Sequence, residues 1–277
     1  PSVEDFGGQG RPPEHPELLD DLALDFMTSG WDVKALVRRL VLTEAYARSS
    51  VPTPSAASQD PANLLFARQG RPRLAAELVR DTALAASGLL VDRLGGPSVK
   101  PPQPAGLYRH LNFPVRTYRP DRDDDQWRRG VYHHWQRQFL HPMLKAFDAP
   151  NREACVAQRT ISNTPLAALV LMNDPVFVEA ARVMAARVLA ESDDDDARLE
   201  RAWRLAVARR PNPAERDVLA NLLTQARATF DADPTDAARL LAVGMAPRGS
   251  DAADVELAAW TQVCRAILNL HETYTRD

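Results

Sequence analysis

Apolar residues recur at helical spacing along most of the chain, and prolines and glycines separate the segments in which they do so. The first two such segments follow Pro16 and Asp32, and Gly30 lies between them. Proline is favoured at the first position of a helix, aspartate at its N-cap and glycine just after its last turn. The pattern therefore predicts an antiparallel hairpin of two amphipathic helices near the start of the chain.

Residues 147–190 are predicted to hold two more helices behind a polar loop. Thr164 precedes Pro165 and Asp174 precedes Pro175, so each pair is typical of an N-cap followed by proline at the first helical position. The second of these helices has an apolar stripe wide enough to face a core. The stripe consists of Val176, Phe177, Ala180, Met184 and Val188.

Helical spacing occurs on both sides of this central stretch. It predicts a helix over 71–88 that Gly88 ends, a helix over 124–141, and three amphipathic helices with one short helix after residue 196. In the first of these, we expect a solvated charged face made of Arg73, Glu77, Arg80 and Asp81. In the helix over 124–141, the predicted apolar stripe is Trp127, Val131, Trp135 and Phe139.

Residues 95–120 lack this periodicity and are rich in proline and glycine, which is typical of a long loop or of a short pair of strands. The acidic run at 191–196 is the natural place to divide the chain. We therefore predict an all-α fold, an irregular multi-helix domain with a long Pro/Gly-rich loop and a C-terminal helical subdomain. The main body is expected over 1–190, with 197–277 packed upon it.

Composition narrows the classes of function. The net charge of −3 gives no overall field that would draw the protein to nucleic acid or to an anionic membrane surface. No stretch approaches the ~20 apolar residues of a membrane-spanning helix. Cys155 and Cys264 are too few for a disulfide framework and are expected to be two buried thiols.

An aromatic and basic run provides the first candidate for chemistry. Its candidate surface residues are Arg128, Arg129, Tyr132, Trp135 and Arg137. Arginine beside aromatic rings can stack on bases or clamp a carboxylate or phosphate. The alternative is a helix whose arginines pair with the aspartates at 121–125, and the acidic chain disfavours nucleic acid in either case.

Histidines in the same run are the second candidate. His134 and His141 lie seven residues apart and would share one face of a helix, whereas the adjacent His133 and His134 would point about 100° apart. Helical metal sites more typically use i,i+4 spacing with a carboxylate partner, which this run lacks. No metal site and no cofactor are therefore expected.

A polar cluster in the central stretch is the third candidate, for binding or for specifying the fold. It consists of Asp148, Arg152, Cys155, Arg159, Thr164, Asn173 and Asp174. A thiolate beside two arginines would have a lowered pKa and would be reactive. The alternative is an ion-pair network in which Asp148 and the arginines fix an irregular loop. No Gly-rich phosphate loop, GxSxG elbow or HExxH occurs, so no catalytic residue is assigned.

An ordered series of segments resembles a known family. The segments include DFGGQGRPPEHPELLDDLALDF at 5–26, DPANLLFARQGRPRLAAELVRD at 60–81, FDAPNREAC at 147–155, RTISNTPLAALVLMNDPVFVEAA at 159–181 and AILNLHETY at 266–274. In this order and spacing they resemble the planctomycete-type domain of unknown function 1553. The resemblance implies an extracytoplasmic multidomain protein that also carries a related helical domain and often a c-type cytochrome domain. It implies no activity and no catalytic residue.

The resulting functional hypothesis is a structural or interaction module that docks with other domains of the same or a neighbouring polypeptide, including a c-type cytochrome domain. The competing hypothesis is a hydrolase or redox-coupled enzyme that acts on a saccharide or other anionic substrate. In that case Asp148, Arg152, Arg159 and the face at 128–137 would surround a cleft.

Overall fold

The structure, a computed structural model, describes residue 3 and residues 8–110 and 115–275 of the chain. Within them it contains thirteen α-helices, three 3-10 turns and no β-sheet, which confirms the predicted all-α class. The helices are α1 (Pro16–Thr28), α2 (Val33–Val41), α3 (Glu44–Ala47), α4 (Pro54–Gln59), α5 (Ala76–Ser87), α6 (Pro142–Ala146), α7 (Pro165–Asn173), α8 (Pro175–Glu191), α9 (Asp195–Val207), α10 (Pro213–Ala232), α11 (Pro234–Leu241), α12 (Asp254–Leu268) and α13 (His271–Tyr274).

The chain divides into two compact units. The smaller unit comprises residues 1–73 with 155–158 and 275–277, and the larger unit comprises 74–154 and 159–274. The boundary that we predicted at 191–196 therefore lies inside the larger unit, and helices from both of its sides share one hydrophobic core.

The smaller unit contains the predicted helical hairpin. Gly30 adopts φ of 75° after α1, and the side chain of Asp32 accepts a hydrogen bond from the backbone N–H of Ala35 at 3.0 Å. Arg39 of α2 forms ion pairs with Asp21 and Asp25 of α1 at 3.0 and 2.5 Å. Both the hairpin and its capping residue are confirmed, yet no described residue of α1, α2, α3 or α4 is buried.

The core of the larger unit is centred on α8 and α12. The predicted stripe of α8 is confirmed, since its five apolar residues are at most 4% exposed. On α12, Leu257, Trp260 and Ile267 are fully buried. Helices α5, α9 and α10 pack around this pair. Burial of apolar surface stabilises the folded state by about 25 cal/mol per Å², so this core is the main source of stability.

The predicted helix over 124–141 is wrong. The segment forms two 3-10 turns, at Asp124–Trp127 and Gly130–Tyr132, and then an irregular stretch up to α6. The guanidinium of Arg80 donates to the carbonyl oxygens of Arg128, at 2.7 Å, and of Gln126. These carbonyls are therefore satisfied by a side chain from another part of the chain instead of by an i→i+4 helical ladder.

The Pro/Gly-rich segment is a loop with a short 3-10 turn at Leu107–His110. Of the two predicted alternatives, the loop is confirmed in the described residues of 95–120 and the pair of strands is wrong, because the isolated bridge at Val99 joins it to His133, outside the range. Residues 111–114 of the predicted loop, and most of the first seven residues, lie outside the described part of the chain.

The solvated charged face predicted for 71–88 is also wrong, because Arg80, its third residue, is not exposed to solvent. Helix α5 starts at Ala76, so Arg73 precedes it and cannot form an i,i+4 pair on the helix. Arg80 is fully buried, with its Nη1 atom 3.9 Å from Asp81. Burial lowers the pKa of Arg80 to about 10.

Candidate functional site

A framework of buried charged side chains holds the irregular segments of the larger unit in place. Arg128 is fully buried, and its guanidinium donates to the carbonyl oxygens of Pro97 at 3.0 Å and Arg93 at 3.1 Å, and also to that of Gly95. Its carbon Cζ lies 4.0 Å from the centre of the Tyr132 ring. Arg128 is thus a fold-specifying residue, and its assignment to the candidate surface is wrong.

Arg129 and Tyr132 have local structural partners as well. Arg129 is half-buried and pairs with Asp92 at 2.7 Å. The hydrogen bond to that carboxylate and its negative charge raise the pKa of Arg129. The hydroxyl of Tyr132 accepts a hydrogen bond from the backbone N–H of Gly95 at 2.7 Å. Within the described residues, neither Arg128 nor Arg129 forms an ion pair with the aspartates at 121–125, and Asp125 instead pairs with Arg93.

Glu179 and Arg182 of α8 hold the loop at 245–247 in place by hydrogen bonds to its backbone. Both are 2% exposed. Arg182 donates to the carbonyl oxygens of Ala246 at 2.8 Å and Pro247 at 3.0 Å, and Glu179 accepts from the backbone N–H of Ala246 at 2.6 Å. The two charges therefore replace water for a loop backbone that would otherwise be unsatisfied.

The prediction that His134 and His141 share a helix face is wrong, because no helix forms over these residues. Instead, His133 and His141 are both buried and their rings are in contact. Their ring centres are 4.7 Å apart. Burial lowers the pKa of His133 to about 2 and that of His141 to about 4. His141 lies 3.0 Å from the carbonyl oxygen of Pro102, while neither ring nitrogen of His133 has a hydrogen-bond partner in the described residues. The pair is neutral at physiological pH.

The polar loop of the central stretch is fixed by Asp148. Its carboxylate accepts hydrogen bonds from the backbone N–H and the hydroxyl of Ser162, both at 2.8 Å. Asp148 and Arg152 adopt φ of 57° and 61°, in the left-handed region that is uncommon for residues other than glycine. Such backbone costs free energy and persists only where the surrounding contacts determine it.

The arginines of this loop have partners other than Asp148. Arg152 lies over the ring of Trp135, with 3.8 Å from its Cζ to the ring centre, and the indole N–H of Trp135 donates to the carbonyl oxygen of Pro150 at 3.1 Å. Arg159 forms a bidentate pair with Glu77 at 2.7 and 3.1 Å. The loop is therefore fixed by several contacts, of which the Arg159–Glu77 contact is an ion pair.

The remaining members of the predicted cluster lie at helix ends. Thr164 is the N-cap residue of α7 without a side-chain hydrogen bond to the helix, and Asn173 is exposed and donates to the carbonyl oxygen of Leu169 at 2.9 Å. Asp174 caps α8 by accepting from the backbone N–H of Val176 at 3.0 Å. Burial raises the pKa of Asp174 to about 6.

The two cysteines differ in their environments. Cys264 is buried and its pKa is raised by burial, as expected for a structural thiol. Cys155 is exposed, so the prediction of a second buried thiol is wrong. Both cysteines are free thiols.

A cleft of about 830 Å³ lies in the larger unit beside the polar loop. Arg137, one of the candidate surface residues, lines this cleft. Asp148, Arg152 and Arg159, which the enzyme hypothesis placed around a cleft, do not line it. Lys145 of α6 adds a second cation, and Asn151 and Glu153 line the side formed by the polar loop. We call this the basic cleft. Lys145 was not singled out from the sequence, because an isolated lysine on a short helix has no distinguishing pattern.

A second concave surface lies in the smaller unit. Two adjoining hollows of about 310 and 490 Å³ share Leu18, Leu22, Asn63 and Phe66. We call the two together the apolar groove. His15 lies at one end, where its Nε2 atom is 2.8 Å from the carbonyl oxygen of Leu64 and its ring is 5.2 Å from that of Phe66. The sequence predicted the helices that bound this groove but not that their apolar faces would be exposed.

The described part of the chain holds no group of three or more His, Cys, Asp or Glu side chains placed to bind a metal ion. Across those same residues, none of the helices has the length and apolar content needed to cross a membrane.

The family model described as PSD1, protein of unknown function (DUF1553), matches residues 1–223. The matched part ends within α10, so the similar segment at 266–274 lies outside it. No curated protein and no solved structure matches the chain.

Proposed function

Because the chain belongs to the PSD1 family of proteins of unknown function (DUF1553), which supplies no reaction, we propose a function from its surfaces: a helical interaction module that docks a partner through the apolar groove. The finer context is part of the same proposal. The module would act in an extracytoplasmic multidomain protein and would dock a helical domain or a c-type cytochrome domain of the same or a neighbouring polypeptide.

The uneven distribution of exposed apolar side chains carries this proposal. Of the 26 large apolar residues that are exposed in the described chain, sixteen lie within residues 3–66. Leu18 is 48% exposed, Leu19 55% and Phe66 48%, and all three line the apolar groove. Soluble proteins rarely leave a contiguous apolar surface of this kind uncovered unless it is a binding site.

The helical pattern supports docking over a role as an ordinary surface. Short helices are marginal in water without tertiary packing of their apolar faces. Helices α1 and α2 have 13 and 9 residues and bury none of them. A partner that covers the apolar groove would therefore stabilise the hairpin as well as bind to it.

Unpaired charges on or before the helices that bound the groove favour a partner of definite chemistry. Glu14, Glu17 and Asp20 lie before or on α1, and Lys34 and Arg38 lie on α2. None of these five has an ion pair within the described residues. An amphipathic helix with apolar residues at i, i+3, i+4 and i+7, basic residues towards α1 and acidic residues towards α2 would complement both the apolar groove and the charges of these two helices.

The test is direct binding between the full chain and the helical or cytochrome c domain encoded with it. We expect measurable affinity at or below high micromolar concentration, with Leu18→Ser and Phe66→Ser each weakening it at least about tenfold, since such substitutions remove a buried apolar contact. Val218→Ser is the matched control, because Val218 is 66% exposed on α10 and is not among the residues that line the groove. Absence of binding, or equal weakening by the control, would refute the proposal.

The competing proposal is an enzyme that acts on a saccharide or other anionic substrate, and the basic cleft favours it. Turnover that Arg137→Gln and Lys145→Gln each abolish, with nearly unchanged melting temperatures, would support it, because both residues line the cleft. Arg152→Ala and Arg159→Ala should instead lower the melting temperature, because these arginines contact Trp135 and Glu77.

A further inference from the structure

We propose that the basic cleft of the larger unit binds a small organic anion, a molecule with one oxyanion group on an apolar body. This inference is independent of the docking proposal, because the basic cleft and the apolar groove lie in different compact units.

The size and shape of the cleft suit a small molecule. Its volume of about 830 Å³ lies within the range of roughly 300–1,000 Å³ that is usual for such sites. Phe139 and Leu140 provide apolar surface along one wall, and both are only partly buried. An apolar body can therefore be covered in the cleft while its charged end meets polar groups.

The charges of the cleft select an anion. Arg137 and Lys145 are both exposed, and neither has an ion-pair or hydrogen-bond partner in the described part of the chain. Glu153 is the one carboxylate among the described lining residues, and the amide of Asn151 donates to it at 3.2 Å. Two other arginines already have partners within the protein. Arg152 stacks on the ring of Trp135, and Arg116 donates a hydrogen bond to the side chain of Gln136 at 3.1 Å.

The wall formed by the polar loop is held in a fixed conformation. The left-handed residues Asp148 and Arg152 bracket Ala149 and Asn151, which line the cleft. The Asp148–Ser162 hydrogen bonds and the Arg152–Trp135 contact fix both ends of this turn. A wall with that many constraints costs little conformational entropy when a ligand binds.

Calorimetric titration of the full chain tests the proposal with matched probes. Phenylacetate, phenyl phosphate and phenyl sulfate share one apolar body and carry different oxyanions, phenylacetamide is the neutral analogue, and inorganic phosphate lacks the apolar body. We expect at least one of the three organic anions to bind, with phenylacetamide and inorganic phosphate each at least about tenfold weaker. The anion that binds most tightly then shows whether the cleft recognises a carboxylate, a phosphate or a sulfate group.

Variants locate the site. Arg137→Gln with Lys145→Gln should weaken binding of the preferred anion at least about tenfold, because hydrogen bonds to charged groups are lost. Arg119→Gln with Arg122→Gln changes the net charge equally at two exposed residues that do not line the cleft and should leave binding unchanged. Glu153→Gln should strengthen binding of the anion a few-fold and leave phenylacetamide unaffected.

Three results would overturn the proposal. The first is that no organic anion binds at millimolar concentration, and the second is that phenylacetamide binds as well as the anions. The third is that the control pair weakens binding as much as the cleft pair, which would indicate attraction by overall charge. All substituted residues are exposed, and unchanged melting temperatures would verify that each variant is folded.

Discussion

The indole N–H of Trp127 donates a hydrogen bond to the Oε2 atom of Glu179 at 3.1 Å, although the two residues are 52 positions apart. The other carboxylate oxygen of Glu179 accepts from the backbone N–H groups of Met245 and Ala246. One buried side chain thus connects the irregular segment at 124–141, helix α8 and the loop before α12. Its removal would leave three donors without partners.

Replacement of Glu179 should therefore be strongly destabilising. Glu179→Gln keeps the size of the side chain but turns an amide N–H₂ towards backbone or indole N–H donors, and we expect a loss of about 2–4 kcal/mol in the free energy of unfolding. Urea unfolding measures this. Glu191→Gln removes a carboxylate whose ion pairs with Arg187 and Arg201 are exposed, and it should cost less than about 1 kcal/mol. Equal losses would contradict the role given to Glu179.

Gly130 lies against the backbone of α5 and should not tolerate a side chain. A Cβ atom there would be 2.6 Å from the carbonyl oxygen of Glu77, and the backbone N–H of Gly130 donates to Asp81 at 2.6 Å. We expect Gly130→Ala to lower the free energy of unfolding by at least about 2 kcal/mol, because two backbones would have to separate. Gly70→Ala is the control, since its Cβ atom would meet only Pro72 at an ordinary 3.7 Å. A mild effect at Gly130 would contradict the close packing.

The buried histidine pair should make the protein less stable in acid. The pKa of His133 is lowered from 6.5 to about 2 and that of His141 to about 4, so below pH 6.5 the unfolded chain binds protons that the folded chain does not. Stability is then lost as pH falls, by up to about 1.4 kcal/mol per pH unit for each group. We expect His133→Phe to flatten the curve between pH 6.5 and 4, as measured by urea unfolding at several pH values. An unchanged slope would show that His133 takes up a proton in the folded state.

Asp174 should act in the opposite direction. Its pKa is raised from 3.8 to about 6, so between pH 6 and 4 the folded chain binds a proton that the unfolded chain does not, and stability is gained as pH falls. Asp174→Asn keeps a capping oxygen and removes the buried charge, so at pH 7 it should be at least as stable as the natural protein and should lack this gain. Asp174→Ala also removes the cap and should be about 1 kcal/mol less stable than Asp174→Asn. If the two variants are equally stable, the cap contributes nothing.

Local signals predicted the helices well because they act within a few residues. Pro165 and Pro175 start helices as expected, Gly88 ends α5 with φ of 86°, and Asp32 and Asp174 cap through their own side chains. The same signals gave the all-α class. They could not identify the basic cleft, since Arg137, Lys145 and Glu153 belong to three short segments whose arrangement is not periodic.

The sequence by itself determined the α1–α2 hairpin, the starts of α7 and α8, the end of α5 and the apolar face of α8, because helix propensity, capping and 3.6-residue periodicity need no distant partner. Only the tertiary structure decided the conformation of residues 124–141 and the burial of Arg80 and Arg128. The carbonyl oxygens that satisfy these guanidinium groups lie 31–48 positions away in the chain. These contacts override the helical pattern of apolar residues, because a buried charge without hydrogen-bond partners would cost more free energy than the helix would contribute.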